Sequence, residues 1–255
     1  MLKIDQYAYA NNLLTVHPLE KFILAISLLI ICLATSSNLI SILIIGIMLL
    51  LTVGLAKIPL NYYYKLMLVP FAFLLIGTLT IALSIEKAPT DFWIGLNIGP
   101  VAFGIHFASL FTALNIFLKS LGAVSCLYFL ALTTPMLDII YVLRKCKVPK
   151  LFLELMALIY RFIFILLDTV EKMKTSQGTR LGYASFKNSY YSIGILAANL
   201  FSRAYQQSEE MTTAMFARCY TNEINVLENE YVLSAKNLVL ITFLIIFFVS
   251  AALFV

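Results

Sequence analysis

Long apolar runs separated by short polar breaks dominate this chain. From Phe22 to Ala56 it is apolar except for the cluster Thr35-Ser36-Ser37-Asn38. One crossing of the hydrocarbon takes about 20 residues, so this run is too long for a single helix, and the polar cluster predicts a hairpin between two spans. Three later runs predict three more. The predicted spans are about Lys21–Thr35, Leu39–Ala56, Leu66–Ser84, Phe107–Leu132 and Leu238–Val255.

The composition agrees with a membrane protein. Apolar residues make up 62% of the chain and charged residues only 12%, whereas soluble domains are about half apolar and a quarter charged. Pro and Gly break the stretch Glu86–Pro100, which we predict to be an external loop with Trp93 at the interface. The sequence therefore predicts an all-α integral membrane protein with about five spans, or six if the middle segment hides another crossing.

Lysine and arginine are distributed unevenly between the two sides of these spans. One side holds Lys3, Lys21, Lys57 and Lys65 with twelve more cations between Thr133 and Asn237, and the opposite loops hold only Lys87. The positive-inside rule then places the N-terminus in the cytoplasm. We predict a transmembrane bundle of four spans over residues 1–132, a cytoplasmic domain over 133–237 and a final transmembrane helix over 238–255.

The middle segment has the pattern of two long amphipathic helices. The first runs from Pro149 or Lys150 to about Ser176, and the second covers about Ser189–Ala217. At 100° per residue the first helix carries a narrow charged stripe on an otherwise apolar surface. This stripe consists of Lys150, Glu154, Arg161 and Asp168, with Lys172 beside them. Such helices are expected to lie at the cytoplasmic face of the membrane, packed on other helices.

An arginine follows each of these helices. Arg180 precedes Gly182, which we predict to be the helix-terminating glycine, and Arg218 follows Ala217. An exposed guanidinium at a helix tip has the geometry to bind a carboxylate of a partner protein through two hydrogen bonds. The alternative is that each cation only complements the dipole of its own helix.

The sequence gives little support to catalysis or metal binding. The four cysteines contain no CxxC pair and there are two histidines, so we expect no metal site and no catalytic residue. An enzyme would have to use acids such as Glu154 and Asp168, which are about 21 Å apart along one helix. A channel or secondary transporter would place ionisable groups deep in several spans, and only Lys119 does so clearly.

Several short motifs resemble those of one family of membrane subunits. The chain opens with Ile4–Tyr9 and His17-Pro18-Leu19-Glu20-Lys21, and it continues with Leu132-Thr133-Thr134-Pro135, Leu143–Pro149 and Tyr160-Arg161. These motifs resemble the CbiQ/EcfT family, the transmembrane coupling subunits of energy-coupling factor (ECF) transporters, and the CbiQ branch in particular.

The resemblance also implies which residues contact the ATPases. The family's two Ala-Arg-Gly motifs correspond to Thr179-Arg180-Leu181 and Ala217-Arg218-Cys219. Both arginines are present. Neither triplet has its glycine and the first also lacks the alanine, so the backbone at these ends cannot be carried over from the family.

The family resemblance implies an importer in a prokaryotic cell membrane. Its partners would be two cytoplasmic CbiO-like ABC ATPases and a CbiM-like substrate-binding membrane subunit, with or without a CbiN-like protein, and no nucleic acid. The chain has no GxxxxGK[ST] motif, so we expect it to bind no cofactor and the partner subunits to use ATP. Cobalt is the expected solute and nickel the next. A coupling subunit for vitamin uptake is the alternative.

Overall fold

The computed structural model describes residues 3–86, 94–98, 101–105, 107–219, 231 and 233–254. Within these residues the chain is mostly helical, which confirms the predicted fold class. The helices are α1 (Lys3–Ala10), α2 (Pro18–Ala34), α3 (Asn38–Leu49, continued by a π-helical segment Leu50–Leu55), α4 (Leu60–Ala82), α5 (Phe107–Thr133), α6 (Met136–Lys145), α7 (Lys150–Thr179), α8 (Phe186–Ala217) and α9 (Ala235–Phe254).

Among the described residues, four helical segments are long and apolar enough to cross a bilayer. They are Asn38–Leu55, Leu60–Ala82, Ser109–Thr133 and Ala235–Ala252. The remaining predicted span corresponds to α2, which has 17 residues and begins with Pro18 after His17. The Nδ1 atom of His17 accepts a hydrogen bond from the amide of Leu19 at 3.1 Å, which caps the start of α2. The five predicted spans thus correspond to helices, while the number that cross the bilayer stays a prediction.

The predicted loop over Glu86–Pro100 was wrong in part. Three strands, β1 (Leu83–Glu86), β2 (Ile94–Ile98) and β3 (Val101–Ile105), form an antiparallel sheet in the order β1-β3-β2. Gly95, one of the residues that indicated a broken backbone, lies inside β2, because a glycine within a short strand does not prevent pairing with its neighbour. Trp93 lies outside the described residues.

The chain divides into two compact units, residues 2–139 with 230–255, and residues 140–229. In the first unit α5 packs against α2, α3 and α4, and α9 packs against α2 and α3. Gly122 of α5 allows a close approach, because a Cβ atom there would lie 2.6 Å from the Sγ atom of Cys32 on α2. The core between these helices includes the fully buried Leu28, Ile44 and Phe248.

Buried polar groups hold the chain segments together at one end of this bundle. The carboxylate of Glu20, which is 3% exposed, accepts hydrogen bonds from the Ser234 amide at 2.9 Å and from Asn237 Nδ2 at 3.0 Å. Asp138 accepts one from the Tyr231 hydroxyl at 2.8 Å. These bonds fix the start of α9 and the start of α6, since a buried carboxylate needs donors to offset the loss of water.

Candidate functional site

The second unit is built on α7 and α8, which pack against each other. Their starts follow from local sequence. Pro149 is the N-cap of α7, just before its first residue Lys150. At this position the missing N–H of proline removes no helical hydrogen bond. Ser185 caps α8 by accepting a hydrogen bond from the Asn188 amide at 3.2 Å. The helices span 30 and 32 residues, which correspond to about 45 and 48 Å at 1.5 Å per residue.

The charged stripe predicted on the first amphipathic helix lies on α7. Lys150, Arg161 and Asp168 are exposed, and Glu154 is half-buried. Asp168 pairs with Lys172 one turn later at 2.6 Å, and both side chains are well exposed, so this pair contributes at most about 0.5 kcal/mol to stability. The stripe keeps one face of α7 polar, and the Asp168–Lys172 pair lies on it.

The end of α7 is a Schellman motif centred on Arg180. Arg180 is the C-cap, the amide of Leu181 donates to the Gly178 carbonyl at 3.1 Å, and the amide of Gly182 donates to the Gln177 carbonyl at 2.8 Å. Leu181 has the left-handed backbone conformation, with φ of 57°. This motif satisfies carbonyls that the last turn of a helix otherwise leaves without partners.

The end of α8 repeats this geometry. Arg218 is again the C-cap, with φ of −97° and ψ of 18° against −94° and 18° at Arg180. The amide of Cys219 donates to the Phe216 carbonyl at 3.0 Å, and Cys219 has φ of 55°. Both arginines therefore leave their helices from the same backbone conformation, although neither is followed by the glycine that the resemblance implied.

Both arginines are available to a partner. Arg180 and Arg218 are exposed, and neither makes a salt bridge within the part of the chain that the structure describes. Thr179 and Ala217, which precede them, are also exposed, and the Thr179 hydroxyl donates to the Ser176 carbonyl at 2.8 Å. Within the described residues each guanidinium is thus a forked donor without a salt-bridge partner, and such a donor binds a carboxylate through two hydrogen bonds.

Gly182 was predicted to terminate the first amphipathic helix, and α7 does end at Thr179, but the left-handed residue at this end is Leu181. Gly182 is required for space instead: a Cβ atom there would lie 2.7 Å from Ser192 Oγ and 2.8 Å from the Gln177 carbonyl oxygen. A non-glycine residue in the left-handed region costs roughly 1–2 kcal/mol. The hydrogen bonds around Leu181 keep it there.

A group of hydrogen bonds that the sequence did not predict fixes the corner between α7 and α8. Ser192 of α8 is buried, its hydroxyl donates to the Gly182 carbonyl at 2.9 Å, and its own carbonyl accepts from Gln177 Nε2 at 3.0 Å. Tyr183 donates to Gln177 Oε1 at 2.7 Å. We name Gln177, Gly182, Tyr183 and Ser192 the corner cluster. It fixes the backbone on either side of Arg180.

The chain is similar to cobalt transport proteins along most of its length. The family model described as "CbiQ: Cobalt transport protein" matches residues 10–228. The cobalt transport protein CbiQ of Salmonella typhimurium is 32% identical over 232 residues, which cover 89% of this chain and 100% of that protein. A Methanocorpusculum labreanum protein described as a fused cobalt transport protein CbiMQ is 31% identical over 229 residues, covering 89% of this chain and 38% of that protein. An uncharacterised protein of Methanocaldococcus jannaschii is 34% identical over 249 residues, which cover 98% of this chain and 92% of that protein.

These similarities decide between the readings left open by the sequence. The match includes both arginine triplets and the whole of α7 and α8, so the family predicted from short motifs is confirmed. A protein of this family is a membrane component of a transport system and not an enzyme. The chain belongs to the CbiQ family of cobalt transport proteins.

Proposed function

We propose that this chain is the coupling subunit of an ECF-type ABC importer, and that Arg180 and Arg218 bind its cytoplasmic ATPases. The observation that carries the proposal is the repeated geometry of the two helix ends. Each arginine is a C-cap followed by a left-handed residue, and each is exposed. Two equivalent cationic tips fit two equivalent carboxylate-bearing surfaces, as a pair of identical or similar ATPase subunits would present.

The corner cluster supports transmission of movement through α7 and α8. When a partner that binds the guanidinium moves, the helix end moves with it only if the adjoining backbone keeps its conformation. Around Arg180 the Schellman bonds and the bonds of Gln177 and Ser192 link the end of α7 to the first turns of α8. ATP would bind and be hydrolysed on the partner subunits, and this chain would relay their closure to a substrate-binding membrane subunit without holding a cofactor.

The substrate-binding partner is proposed to be a CbiM-like subunit, with or without a CbiN-like one, and the solute cobalt. Support comes from the relatives, because one is named for cobalt transport and another is described as a fusion of CbiM and CbiQ. In such a fusion the CbiM and CbiQ parts belong to one chain, which is consistent with a CbiM-like subunit that binds a CbiQ subunit directly. Nickel is the next solute to test, since the membrane subunit and not this chain would select the ion.

The proposed setting is the cell membrane with α7 and α8 in the cytoplasm. The excess of lysine and arginine over residues 133–237 supports this side. It is also the only side on which the arginines could reach an ATP-hydrolysing partner.

Charge reversal at the helix ends tests this function. Arg180→Glu combined with Arg218→Glu places like charges against the partner's carboxylates, and breaking such pairs costs about 2–5 kcal/mol each. We expect the double variant to insert normally but to lose both copurification of the ATPase subunits and cobalt uptake. Arg203→Glu, which reverses an exposed arginine within α8, is the matched control and should keep both.

Retention of the ATPases by the double variant would refute the binding role of the two arginines. Loss of the ATPases in the Arg203→Glu control to the same degree would show that net charge, and not position at the helix ends, governs assembly.

A further inference from the structure

Lys21 of α2 is a buried cation that has no part in the proposed ATPase contact. Its side chain is 3% exposed, and its Nζ atom donates hydrogen bonds to the Leu13 carbonyl at 2.8 Å and the Thr133 carbonyl at 3.0 Å. Glu20 and Asp138 supply countercharge, since both interact electrostatically with the ammonium group. Burying a lysine costs free energy unless it is paired and hydrogen-bonded. Both conditions are met, so the fold holds this charge at a defined place.

The bond to Thr133 lies at the last residue of α5, which is fully buried. Carbonyl groups in the last turn of a helix have no partner within the helix, and a cation there also complements the helix dipole. Asn11, directly after α1, adds bonds from its Nδ2 atom to the carbonyls of Leu132 at 3.4 Å and Thr133 at 3.3 Å. The end of α5 is therefore joined to α2 and to the end of α1.

The end of α5 is also the point from which the chain leaves the first unit. Only Thr134 and Pro135 separate α5 from α6, and α6 continues without interruption past Ile139, where the second unit begins. Pro135 cannot continue the hydrogen bonding of α5, and residues at the ends of elements are those that absorb rotation in hinged proteins. Movement of α6 therefore reaches α2 only if the carbonyls before this break stay bound.

We propose that Lys21 is a positioning residue through which movement of α7 and α8 reaches the transmembrane bundle, because its bond to Thr133 keeps the break between α5 and α6 from absorbing that movement. This inference rests on the proposed function. Without the bond, the ATPases would still bind at Arg180 and Arg218 and hydrolyse ATP, but α6 would turn at the break and leave α2 in place. Lys21 thus governs coupling and not ATPase binding.

The test measures cobalt(II) uptake and ATP hydrolysis by the full complex in proteoliposomes. Lys21→Met keeps an unbranched side chain but removes both hydrogen bonds. We expect it to retain the ATPase subunits and to hydrolyse ATP at close to the parent's rate. It should move about tenfold fewer cobalt ions per ATP, the size of effect that follows from losing a hydrogen bond to a charged group. Lys65→Met changes an exposed lysine of α4; it is the matched control and should keep the parent's ratio.

A second variant removes the effect of an unbalanced charge. Lys21→Met leaves the buried Asp138 carboxylate without its cation, which destabilises the bundle. Lys21→Met combined with Asp138→Asn removes both charges and keeps an oxygen that can accept from the Tyr231 hydroxyl. It should have the same low ratio of cobalt to ATP. The parent's ratio in either variant would overturn the inference, and so would loss of the ATPase subunits from the charge-balanced variant.

These outcomes are distinct from those that test the proposed function. Arg180→Glu with Arg218→Glu should lose the ATPase subunits themselves, whereas the Lys21 variants should keep them. If the arginine variant lost the ATPases and Lys21→Met kept the parent's ratio, only the role of Lys21 would fail. If the arginine variant kept the ATPases and Lys21→Met still lost uptake per ATP, the role of the arginines would fail and that of Lys21 would stand.

Discussion

Gly182→Ala should loosen the corner between α7 and α8. The added Cβ would lie 2.8 Å from the Gln177 carbonyl oxygen, a backbone atom, and 2.7 Å from Ser192 Oγ. Gln177 cannot move away freely, because its carbonyl accepts the hydrogen bond from the Gly182 amide at 2.8 Å. Ser192 cannot move without losing the bond from its hydroxyl to the Gly182 carbonyl.

The cost has two parts. Inserting a methyl group into a packed site costs about 1–3 kcal/mol, and losing the Ser192 hydrogen bond costs about another 1 kcal/mol. The corner should therefore lose roughly 2–4 kcal/mol of stability. At about 1.4 kcal/mol per factor of ten, that loss opens the corner some 30 to 700 times more often.

Hydrogen exchange of the purified protein in detergent measures this opening directly. Amides in the peptides covering residues 177–192 should exchange faster in Gly182→Ala, while those of α5 should not change. Gly178→Ala is the matched control four residues earlier, since nothing lies within 4 Å of a Cβ atom there. It should slow exchange slightly, because alanine stabilises a helix by about 0.5–1 kcal/mol relative to glycine.

Two results would refute the reasoning. One is unchanged exchange over residues 177–192 in Gly182→Ala. The other is full rescue by a second change, Ser192→Ala. That change removes the hydroxyl but leaves the contact with the Gln177 backbone, so rescue should be partial at most.

Two further predictions concern other parts of the chain. Glu20→Ala should lower the free energy of unfolding by about 2–4 kcal/mol, because the Ser234 amide and the Asn237 side chain lose their hydrogen-bond acceptor. Thermal unfolding in detergent measures this change, and Glu20→Gln, which keeps one acceptor oxygen, should lose less stability. The prediction is contradicted if both variants are as stable as the parent. A membrane-impermeant maleimide should label the exposed Cys146 and Cys219 in inside-out vesicles and spare Cys32 and Cys126, which are buried. Labelling of Cys219 in intact cells, absent from the Cys219→Ser variant, would contradict the proposed orientation.

Hydrophobic runs predicted most of the helices but not all their ends. The polar cluster Thr35-Ser36-Ser37-Asn38 correctly predicted the turn between α2, which ends at Ala34, and α3, which begins at Asn38. Polar residues of this kind are typical of turns between apolar segments. The third span was predicted from Leu66, yet α4 begins at Leu60 and includes the tyrosines assigned to the interface. Aromatic residues at the membrane interface can lie inside the first turns of a helix as well as before it, so their position does not mark where the helix begins.

Polarity was also a poor guide to the end of α7. The predicted end at about Ser176 reflected the polar run Ser176–Thr179, but the helix continues to Thr179 since the Schellman bonds close its last turn. The short helices α1 and α6 were not predicted separately. They are eight and ten residues long, shorter than the stretch of about 11–18 residues over which helical periodicity is read.

The two arginines were found from sequence, while their supporting contacts were not. An arginine that directly follows an amphipathic segment can be recognised from the sequence alone. The bond between Gln177 and Ser192 joins residues fifteen positions apart across a corner, and no repeating spacing reports such a pair. The left-handed conformation of Leu181 was not predicted either, because the glycine that marks the helix end in the sequence is the next residue, Gly182.

The hydrogen bond between Asp138 and Tyr231 joins two points that lie 93 positions apart in sequence. Residues 140–229 leave the first unit just after one partner and return to it just before the other. They form an insertion whose two ends are already held together, so the helical bundle does not depend on them to close the chain. A short linker could reconnect the bundle in their place, and the sequence of α7 and α8 could change to suit the proposed ATPase partner without disturbing α2, α5 and α9.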